Sequence, residues 1–380
     1  MKDSKSDIII LRILKNKRML DFNWSGTIPS LVRSLSKSSK ISEEFEYYRV
    51  SDRFNDLLVR LGFRKNDFNL SAIKHVNSRL SKRYVGQTII SFDEIPISKN
   101  IQNYVYQDLC VDYLVNEYDN NSPYLERSGF DFSLIEAMRK RAGYQEKYYK
   151  DCTGIFTMSK FLQDYMINKM SLSENKVHYV GAGVNLDVSK IDTSGRTGNK
   201  FLFVGKDFYR KGGDLVCKAF DILQKTKMSN AELYIIGPKS RPDEAINENI
   251  IFLGEQDSES VQKYFNLCDV FVMPSRFEAF GLVFIEALAS GLPCIARKKQ
   301  EMPHLIENNK TGMLLDEFEE SPEILSEIML TIINSEQIKE NVINQRHLII
   351  ENYSWDKVAD RMIQVIDADK NLKSLISSPS

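Results

Sequence analysis

The 380-residue sequence contains no apolar run near the roughly 20 residues that a helix needs to cross a bilayer. Its apolar N-terminal stretch, Ile8 to Ile10, is too short for the hydrophobic region of a signal peptide, and basic residues soon follow it. We therefore predict that this stretch is a first core strand and that the protein is cytoplasmic.

Cysteine and histidine are sparse, and neither type has the spacing of a metal site or a disulfide framework. The cysteines have apolar neighbours, so we predict buried free thiols and no metal site. The cysteines are Cys110, Cys152, Cys217, Cys268 and Cys294, and the histidines are His75, His178, His304 and His347.

The formal net charge is only −1, but positive charge is concentrated in the first 100 residues, which contain 19 Lys and Arg against 11 Asp and Glu. One interpretation is that these charges are scattered on solvated helix faces. The other is a basic face for an anionic membrane surface or a lipid-linked phosphate, at the inner face of the membrane. Nucleic acid is not an expected partner, because no basic run is interleaved with aromatic residues. The basic candidates are Lys15, Lys17, Arg18, Arg79, Lys82 and Arg83.

Short apolar segments alternate with amphipathic stretches of helix length, which predicts an α/β protein with parallel sheets. Polar, glycine-containing sequence at 185–200 separates two such regions, so each half is predicted to form its own doubly wound sheet. Ligands of these sheets bind at the carboxyl ends of the strands. The predicted strands are 7–13, 45–50, 88–92, 104–106, 154–158, 177–180, 201–204, 232–236, 250–253, 270–273, 293–296 and 312–315.

The strongest chemical signal follows the apolar segment 270–273, where a turn leads into a helix that begins near Gly281. The first turn of a helix presents backbone N–H groups and the positive end of the helix dipole, which together favour a phosphate. Glu286 lies one turn inside this helix, within reach of ligand hydroxyls, and Glu278 lies just before it. For an isolated glutamate, a surface charge favoured by the helix dipole would be the better interpretation.

The two glutamates, eight positions apart with Phe280, Gly281 and Leu282 between them, closely resemble the E-x7-E segment of the family 4 retaining glycosyltransferases. The resemblance implies that Glu278 contacts the sugar of a nucleotide-sugar donor. It also implies that the backbone amides of residues 280–282 hold the diphosphate and that Glu286 binds the ribose hydroxyls.

A second glycine-bearing loop, after the apolar segment 201–204, contains Gly205, Lys206, Arg210 and Lys211. Several cations beside a helix start suit a pyrophosphate, whose charge grows as a glycosyl bond breaks. The loop resembles the family's Gly-Arg…Lys-Gly element, with Lys206 in the usual Arg place and Lys211 matching the Lys. The substitution of Lys for Arg loses bidentate geometry, and Arg210 is a candidate to compensate for it.

Weaker resemblances complete the predicted site. Leu253 and Gly254 resemble the strand end that brackets the nucleobase, and Gly237 resembles the start of the loop that faces the donor. In the first half, Gly26 lies in a loop that resembles the family's glycine-containing first loop, for which an anion contact and a plain turn are both open. Asp108 is a candidate for orienting the acceptor, since Gln107 stands where relatives often have a histidine.

The resemblance implies the GT-B fold, in which two Rossmann-like domains face each other across a cleft. The predicted divisions are an acceptor domain over 1–184, a nucleotide-sugar domain over 185–355 and a terminal helix over 356–380 that crosses back to the first domain.

The implied activity is metal-independent transfer, with retention, of a hexosyl or N-acetylhexosaminyl group. The donor is a nucleotide diphosphate sugar as substrate, with no cofactor; a UDP-sugar is favoured over a GDP-sugar. The acceptor is a glycan, a glycolipid or lipid-linked glycan, or a glycoprotein. The alternatives are a phosphorylase or epimerase of the same fold, or a non-catalytic partner subunit of a glycosyltransferase complex. A nicotinamide dehydrogenase is disfavoured, because no Gly-x-Gly-x-x-Gly opens a helix after a strand.

Overall fold

The computed structural model describes residues 8–14, 26–47, 86–92, 94 and 101–377. The chain divides into two compact units. Unit 1 comprises Met1–Ser122, Asp131–Gly183 and Trp355–Ser380, and unit 2 comprises Pro123–Phe130 and Val184–Ser354. Among the described residues, none of the helices combines the length and the apolar character that crossing a membrane requires.

Within the described residues, each unit contains one sheet of six strands with helices on either side. The strands are β1 (Ile8–Leu14), β2 (Ile41–Tyr47), β3 (Thr88–Ser91), β4 (Gln102–Gln107), β5 (Gly154–Thr157), β6 (Val177–Tyr179), β7 (Lys200–Val204), β8 (Glu232–Ile236), β9 (Ile250–Gly254), β10 (Val270–Val272), β11 (Cys294–Arg297) and β12 (Gly312–Leu315). The helices are α1 (Thr27–Ser38), α2 (Val111–Asp119), α3 (Ile135–Asp151), α4 (Lys160–Asn168), α5 (Gly213–Thr226), α6 (Ser258–Leu267), α7 (Leu282–Ala289), α8 (Met302–Leu305), α9 (Pro322–Ile333), α10 (Glu336–Asn352) and α11 (Trp355–Ser377).

The sheet of unit 1 has the order β2-β1-β3-β4-β5-β6, and every described pairing in it is parallel. Strands β3 and β5 are buried along their whole length, as expected for inner strands of a parallel sheet, and β4 is buried from Asn103 onward. Strand β2 begins at Ile41, so the predicted strand at 45–50 was placed too late. The sequence of β2 contains three glutamates, and β2 is the outermost strand of this sheet among the described residues. Charges are tolerated in such a strand, and they interrupt the apolar pattern by which a strand is recognised.

The last helix, α11, follows unit 2 in the sequence but packs on α1 of unit 1. An ion pair of 2.7 Å joins Lys37 on α1 to Asp356 at the start of α11. The buried indole of Trp355 lies against Gly183, where a Cβ atom would be 2.5 Å from the ring. The start of α11 is therefore seated on unit 1 by both a charge pair and a close packing contact.

The sheet of unit 2 has the order β12-β11-β10-β7-β8-β9 and is also parallel. The chain runs outward from β7 to β9 and then returns to β10 on the other side of β7. The switch point of the sheet therefore lies between β7 and β10, and ligands of such sheets bind outside the carboxyl ends of the strands at this point. The two predicted parallel sheets are confirmed, and all five cysteines are buried and free, as predicted.

A short segment inside the first half of the sequence, Pro123–Phe130, belongs to unit 2. The Arg297 guanidinium donates to the hydroxyl of Tyr124 at 2.9 Å and lies 5.0 Å from the centroid of its ring. At the other end of the segment, Phe130 packs edge-on against Phe277, with 5.6 Å between ring centroids. The assignment of this segment to unit 2 was not predicted from the sequence, because Tyr124 and Phe130 contact residues that lie far away in the chain.

Replacing Gly183 with alanine is expected to lower the free energy of unfolding by about 1–3 kcal/mol, because the new methyl group overlaps the Trp355 ring. The matched control is Gly143→Ala, on the exposed surface of α3 with no neighbouring atom within 4 Å of the added Cβ. That change is expected to stabilise the protein by up to about 1 kcal/mol, since alanine is the better helix former. Urea unfolding of both variants measures the difference; equal stabilities would show that α11 is not seated on Gly183.

Candidate functional site

The carboxyl ends of the strands of unit 2 present a set of loops that approach one another through glycine backbone. Gly237 directly follows β8 and has a φ of 120°. It packs against the backbone of Gly205, from which a Cβ atom on Gly237 would be only 2.6 Å away. The N–H of Gly237 donates to the carbonyl of Gly254 at 2.8 Å. Three predicted site glycines are thus adjacent, and Leu253 precedes the last of them on β9.

The loops after β7 and β10 also make contact through a glycine. Gly212 has a φ of 76° at the start of α5, and a Cβ atom there would lie 2.6 Å from the carbonyl oxygen of Pro274. Arg210 joins the same two loops, because its guanidinium donates to the carbonyl of Phe277 at 2.8 Å and to Asp207 at 3.0 Å. Arg210 therefore supports the turn that precedes α7.

Two of the predicted site residues, Lys211 and Glu278, form a direct ion pair between these loops. Each side chain exposes only 13% of its surface. Burial lowers the pKa of Lys211, and the charge of Glu278 opposes that shift. The pair places one cation and one carboxylate side by side at the switch point of the sheet, where each neutralises the charge of the other.

Lys206 has different surroundings from Lys211. Its side chain is 83% exposed, and its ammonium lies 3.8 Å from the carboxylate of Glu255. An exposed pair at this distance contributes little to stability. Lys206 is therefore free to change its position when a ligand arrives, whereas Lys211 is held.

Helix α7 begins at a glycine with a left-handed backbone, since Gly281 has a φ of 90° at the N-cap. Phe280 is buried beneath the turn, and Leu282 is the first helical residue. The N–H of Phe284 donates to the carbonyl of Gly281 at 2.9 Å. The first amides of a helix have no carbonyl partner within it, so this end can accept an anion.

Glu286 lies one turn inside α7. Burial raises its pKa to about 7, although a hydrogen bond from the backbone of Asn185 favours the charged form. A carboxyl group of this kind accepts and donates hydrogen bonds at neutral pH, which suits the recognition of hydroxyl groups.

Two buried arginines, Arg276 and Arg297, hold the loops of the site together, and neither was predicted from the sequence. Arg276 donates to Asp214 at 2.6 Å and to Glu320 at 2.9 Å, and Arg297 donates to the same Glu320 oxygen at 2.9 Å. Burial opposes the charge of Arg276, but hydrogen bonds from Arg276 to Glu320 and Asp214 hold its pKa above the ordinary value. Arg276 lies in the turn 274–281 among several apolar residues, and a charge in such surroundings needs a partner. This position could have indicated that Arg276 is buried in an ion pair.

The predicted residues of the first half lie in unit 1. Gly26 is the N-cap of α1 with a φ of 85°, while residues 23–25 of its loop lie outside the described residues. Asp108 directly follows β4. Gln107 is buried and serves the fold, because it donates to the carbonyl of Phe92 at 3.0 Å and accepts from the hydroxyl of Tyr149 at 3.1 Å.

All six basic candidates of residues 1–100 lie outside the described residues. Within the described ranges, no group of three or more His, Cys, Asp or Glu residues is arranged to hold a metal ion. The sequence contains an Asp-x-Asp triplet, a pattern that can hold a divalent metal, at Asp367 to Asp369 in α11. Asp369 accepts a hydrogen bond of 2.7 Å from the hydroxyl of Tyr104.

A family model described as glycosyl transferases group 1 matches residues 188–346, which include Lys211, Glu278 and Glu286. Two uncharacterised glycosyltransferases of Methanocaldococcus jannaschii are similar to the chain. One is 25% identical over 57% of this chain and 60% of its own length. The other is 22% identical over 92% of this chain and 96% of its own length. The match thus spans less than two thirds of the first relative.

Among solved structures, sucrose-phosphate synthase from Thermosynechococcus elongatus has the same fold, with a TM-score of 0.66 at 15% sequence identity. The similarity covers 96% of this chain and 99% of that chain. The fold is that of the GT-B glycosyltransferases, as the sequence predicted. The similar proteins are glycosyltransferases, while the roles of individual residues stay predictions.

Replacing Glu286 with glutamine is expected to stabilise the protein at pH 8 by about 1–3 kcal/mol. The folded-state pKa of about 7 lies above the ordinary value of 4.5, so the native state prefers the protonated carboxyl. The stability difference should be absent below pH 4.5, grow as the pH rises through 7 and then level off. Thermal unfolding from pH 4 to pH 9 measures it, with Glu340→Gln on the exposed face of α10 as control. A pH-independent difference would refute the titration of Glu286.

Proposed function

We propose that this chain is a retaining glycosyltransferase of family 4. It transfers a hexosyl or N-acetylhexosaminyl group from a nucleotide diphosphate sugar, with a UDP-sugar favoured over a GDP-sugar. The observation that carries the proposal is the buried pair of Lys211 and Glu278 beside the N-terminus of α7, with Glu286 one turn inside that helix. A cation, a helix N-terminus and two carboxylates are the groups that a diphosphate bearing two sugars requires.

The reaction breaks the bond between the anomeric carbon and the oxygen of the β-phosphate. Negative charge then grows on the departing diphosphate, where Lys211 and the amides of residues 280–282 stabilise it. The acceptor hydroxyl attacks the anomeric carbon from the face that the diphosphate leaves, so the anomeric configuration is retained. The proton of that hydroxyl passes to an oxygen of the departing diphosphate, and no protein nucleophile is needed.

The ion pair between Lys211 and Glu278 supports a specific order of contacts. Lys211 is buried and charged, so it needs an anionic partner at all times. When a diphosphate takes this place, the carboxylate of Glu278 becomes available to accept hydrogen bonds from hydroxyls of the transferred sugar. Glu286 takes the ribose hydroxyls of the nucleoside in the same proposal.

The proposed acceptor is a glycan, a glycolipid or a glycoprotein that is anionic or attached to a membrane. The support is the excess of 19 Lys and Arg over 11 Asp and Glu in the first 100 residues. The diphosphate of the donor cannot account for this excess, because its cations lie in unit 2. We propose a cytoplasmic protein with peripheral attachment to the inner face of an anionic membrane.

The two glutamates are expected to fail in different ways when each is replaced by alanine. Glu286→Ala should weaken the binding of the nucleoside diphosphate about tenfold, because it removes the partner of the ribose hydroxyls. Glu278→Ala should instead slow transfer, with a smaller effect on the nucleoside diphosphate, which has no sugar for this carboxylate to hold.

Calorimetric titration of UDP and GDP into both variants and into the control Glu340→Ala measures the first effect, and a transfer assay measures the second. Unchanged affinity in Glu286→Ala would remove the ribose role. If the wild-type protein binds neither nucleotide, the donor proposal is wrong; if it binds one but transfers no sugar, a partner subunit of the same fold becomes the better description.

Transfer is also expected to survive chelation of divalent metals. Lys211 and the N-terminus of α7 supply positive charge at the place where a metal would otherwise neutralise the diphosphate. The assay is repeated with excess EDTA and then with added manganese or magnesium. Activity that disappears with EDTA and returns with either metal would contradict the metal-independent mechanism.

A further inference from the structure

Gln300, in the loop after β11, has a backbone conformation that is unusual for its type and location. Its φ of 52° lies in the left-handed region, which favours glycine. Among the described residues, the other non-glycine residues with positive φ are exposed, whereas Gln300 is only 8% exposed. Those exposed residues are Asn121, Ser171 and Asn309.

The two polar atoms of the Gln300 side chain are in different situations. The carbonyl oxygen accepts a hydrogen bond of 2.6 Å from the backbone N–H of Glu278. The amide nitrogen is buried and has no hydrogen-bond partner among the described residues. An unsatisfied buried donor costs free energy, and so does the left-handed backbone of a residue with a Cβ atom. Glycine would avoid both costs but would leave the Glu278 N–H without its acceptor, and that hydrogen bond requires only the carbonyl oxygen. The amide nitrogen therefore needs a reason of its own to be present.

The location of Gln300 connects it with one part of the proposed donor site. Its amide contacts the backbone of Glu278, the residue whose carboxylate pairs with Lys211. Two residues further on, the methyl group of Met302 would lie 2.8 Å from a Cβ atom on Gly281, so this loop packs under the start of α7. Glu286, which the proposed function places at the ribose, has a different neighbour, since the backbone of Asn185 donates a hydrogen bond to it.

We propose that Gln300 is a specificity residue for the transferred sugar. When the donor diphosphate takes Lys211 and the turn at Glu278 adjusts, the amide N–H of Gln300 donates to a hydroxyl of the sugar that Glu278 also contacts. The side-chain carbonyl keeps its hydrogen bond to the Glu278 backbone, so the two residues form one recognition element. This inference rests on the proposed function, and it assigns Gln300 to the sugar part of the donor.

A purely structural role makes a different demand on the side chain. Holding the turn requires only the carbonyl oxygen, which a glutamate would also supply. Recognition of a hydroxyl oxygen requires the N–H donor, which glutamate lacks when it is ionised. Substitutions that remove one of these functions at a time can therefore distinguish the two roles.

The test uses the full chain with Gln300→Gly, Gln300→Met and Gln300→Glu, and with Asn309→Gly as the control at an exposed left-handed residue. Titration calorimetry gives the affinities for UDP, GDP, UDP-glucose, UDP-galactose, UDP-N-acetylglucosamine and GDP-mannose. Wild type should prefer one of the sugars over the bare nucleotide and over the other sugars. All three Gln300 variants should lose that preference, with an approximately tenfold weaker affinity for the preferred nucleotide sugar. Affinity for the bare nucleotide should change by less than about twofold.

Thermal unfolding supplies a second readout. Gln300→Gly removes the strained backbone and the unsatisfied donor but also the acceptor of the Glu278 N–H, so its unfolding midpoint should change by less than about 2 °C. Gln300→Met keeps the left-handed strain, so its midpoint should lie below that of the glycine variant. Asn309→Gly should leave every affinity unchanged.

Wild-type sugar preference in Gln300→Gly or Gln300→Met would overturn the inference. Preference that is lost in Gln300→Met but kept in Gln300→Glu would assign Gln300 to holding the turn and would equally overturn it. Failure of the wild-type protein to bind any nucleotide would instead refute the proposed function, and the inference with it.

Discussion

The candidate site depends on two buried arginines that share one carboxylate. Arg276 and Arg297 are almost completely excluded from solvent, and Glu320 lies between them. A buried cation is tolerated only with close anionic and carbonyl partners, so each arginine restricts the elements that supply them. Through Asp214 the restriction extends to the first turn of α5, and through Tyr124 it extends to the segment that comes from the first half of the sequence. The start of the turn before α7 is therefore anchored at Arg276 to the rest of unit 2.

Several groups near these arginines are stable only at some cost. Lys211 is paired with Glu278 where each side chain exposes only 13% of its surface, the pKa of Glu286 is raised to about 7, and Gln300 has a left-handed backbone. Such local costs are typical of functional sites, where the arrangement serves a ligand and the surrounding structure compensates for it. A ligand with the complementary charges and hydroxyls would remove these costs together. We therefore expect the site to gain more stability from a whole nucleotide sugar than from its separate parts.

The sequence predicted the elements of unit 2 well, because its strands are largely apolar and its turns contain glycine. A family resemblance also assigned Glu278 and Lys211 to one site, and in the structure the two side chains form an ion pair. Edge strand β2 was placed too late because its glutamates interrupt the apolar pattern. The role of Tyr124 and the backbone of Gln300 were beyond prediction, since both depend on contacts between residues far apart in the sequence.

The position of α11 has a consequence for the order in which the protein is made. Its buried residues, Val358, Met362 and Ile366, complete unit 1, yet the ribosome produces them only after the whole of unit 2. Chains generally fold from the N-terminus during synthesis, so the strands of unit 1 emerge long before the helix that covers α1. During this interval an apolar surface on unit 1 is left open. A chaperone that recognises apolar surface would thus find its target on the nascent chain, and that target would vanish once α11 is released and docks.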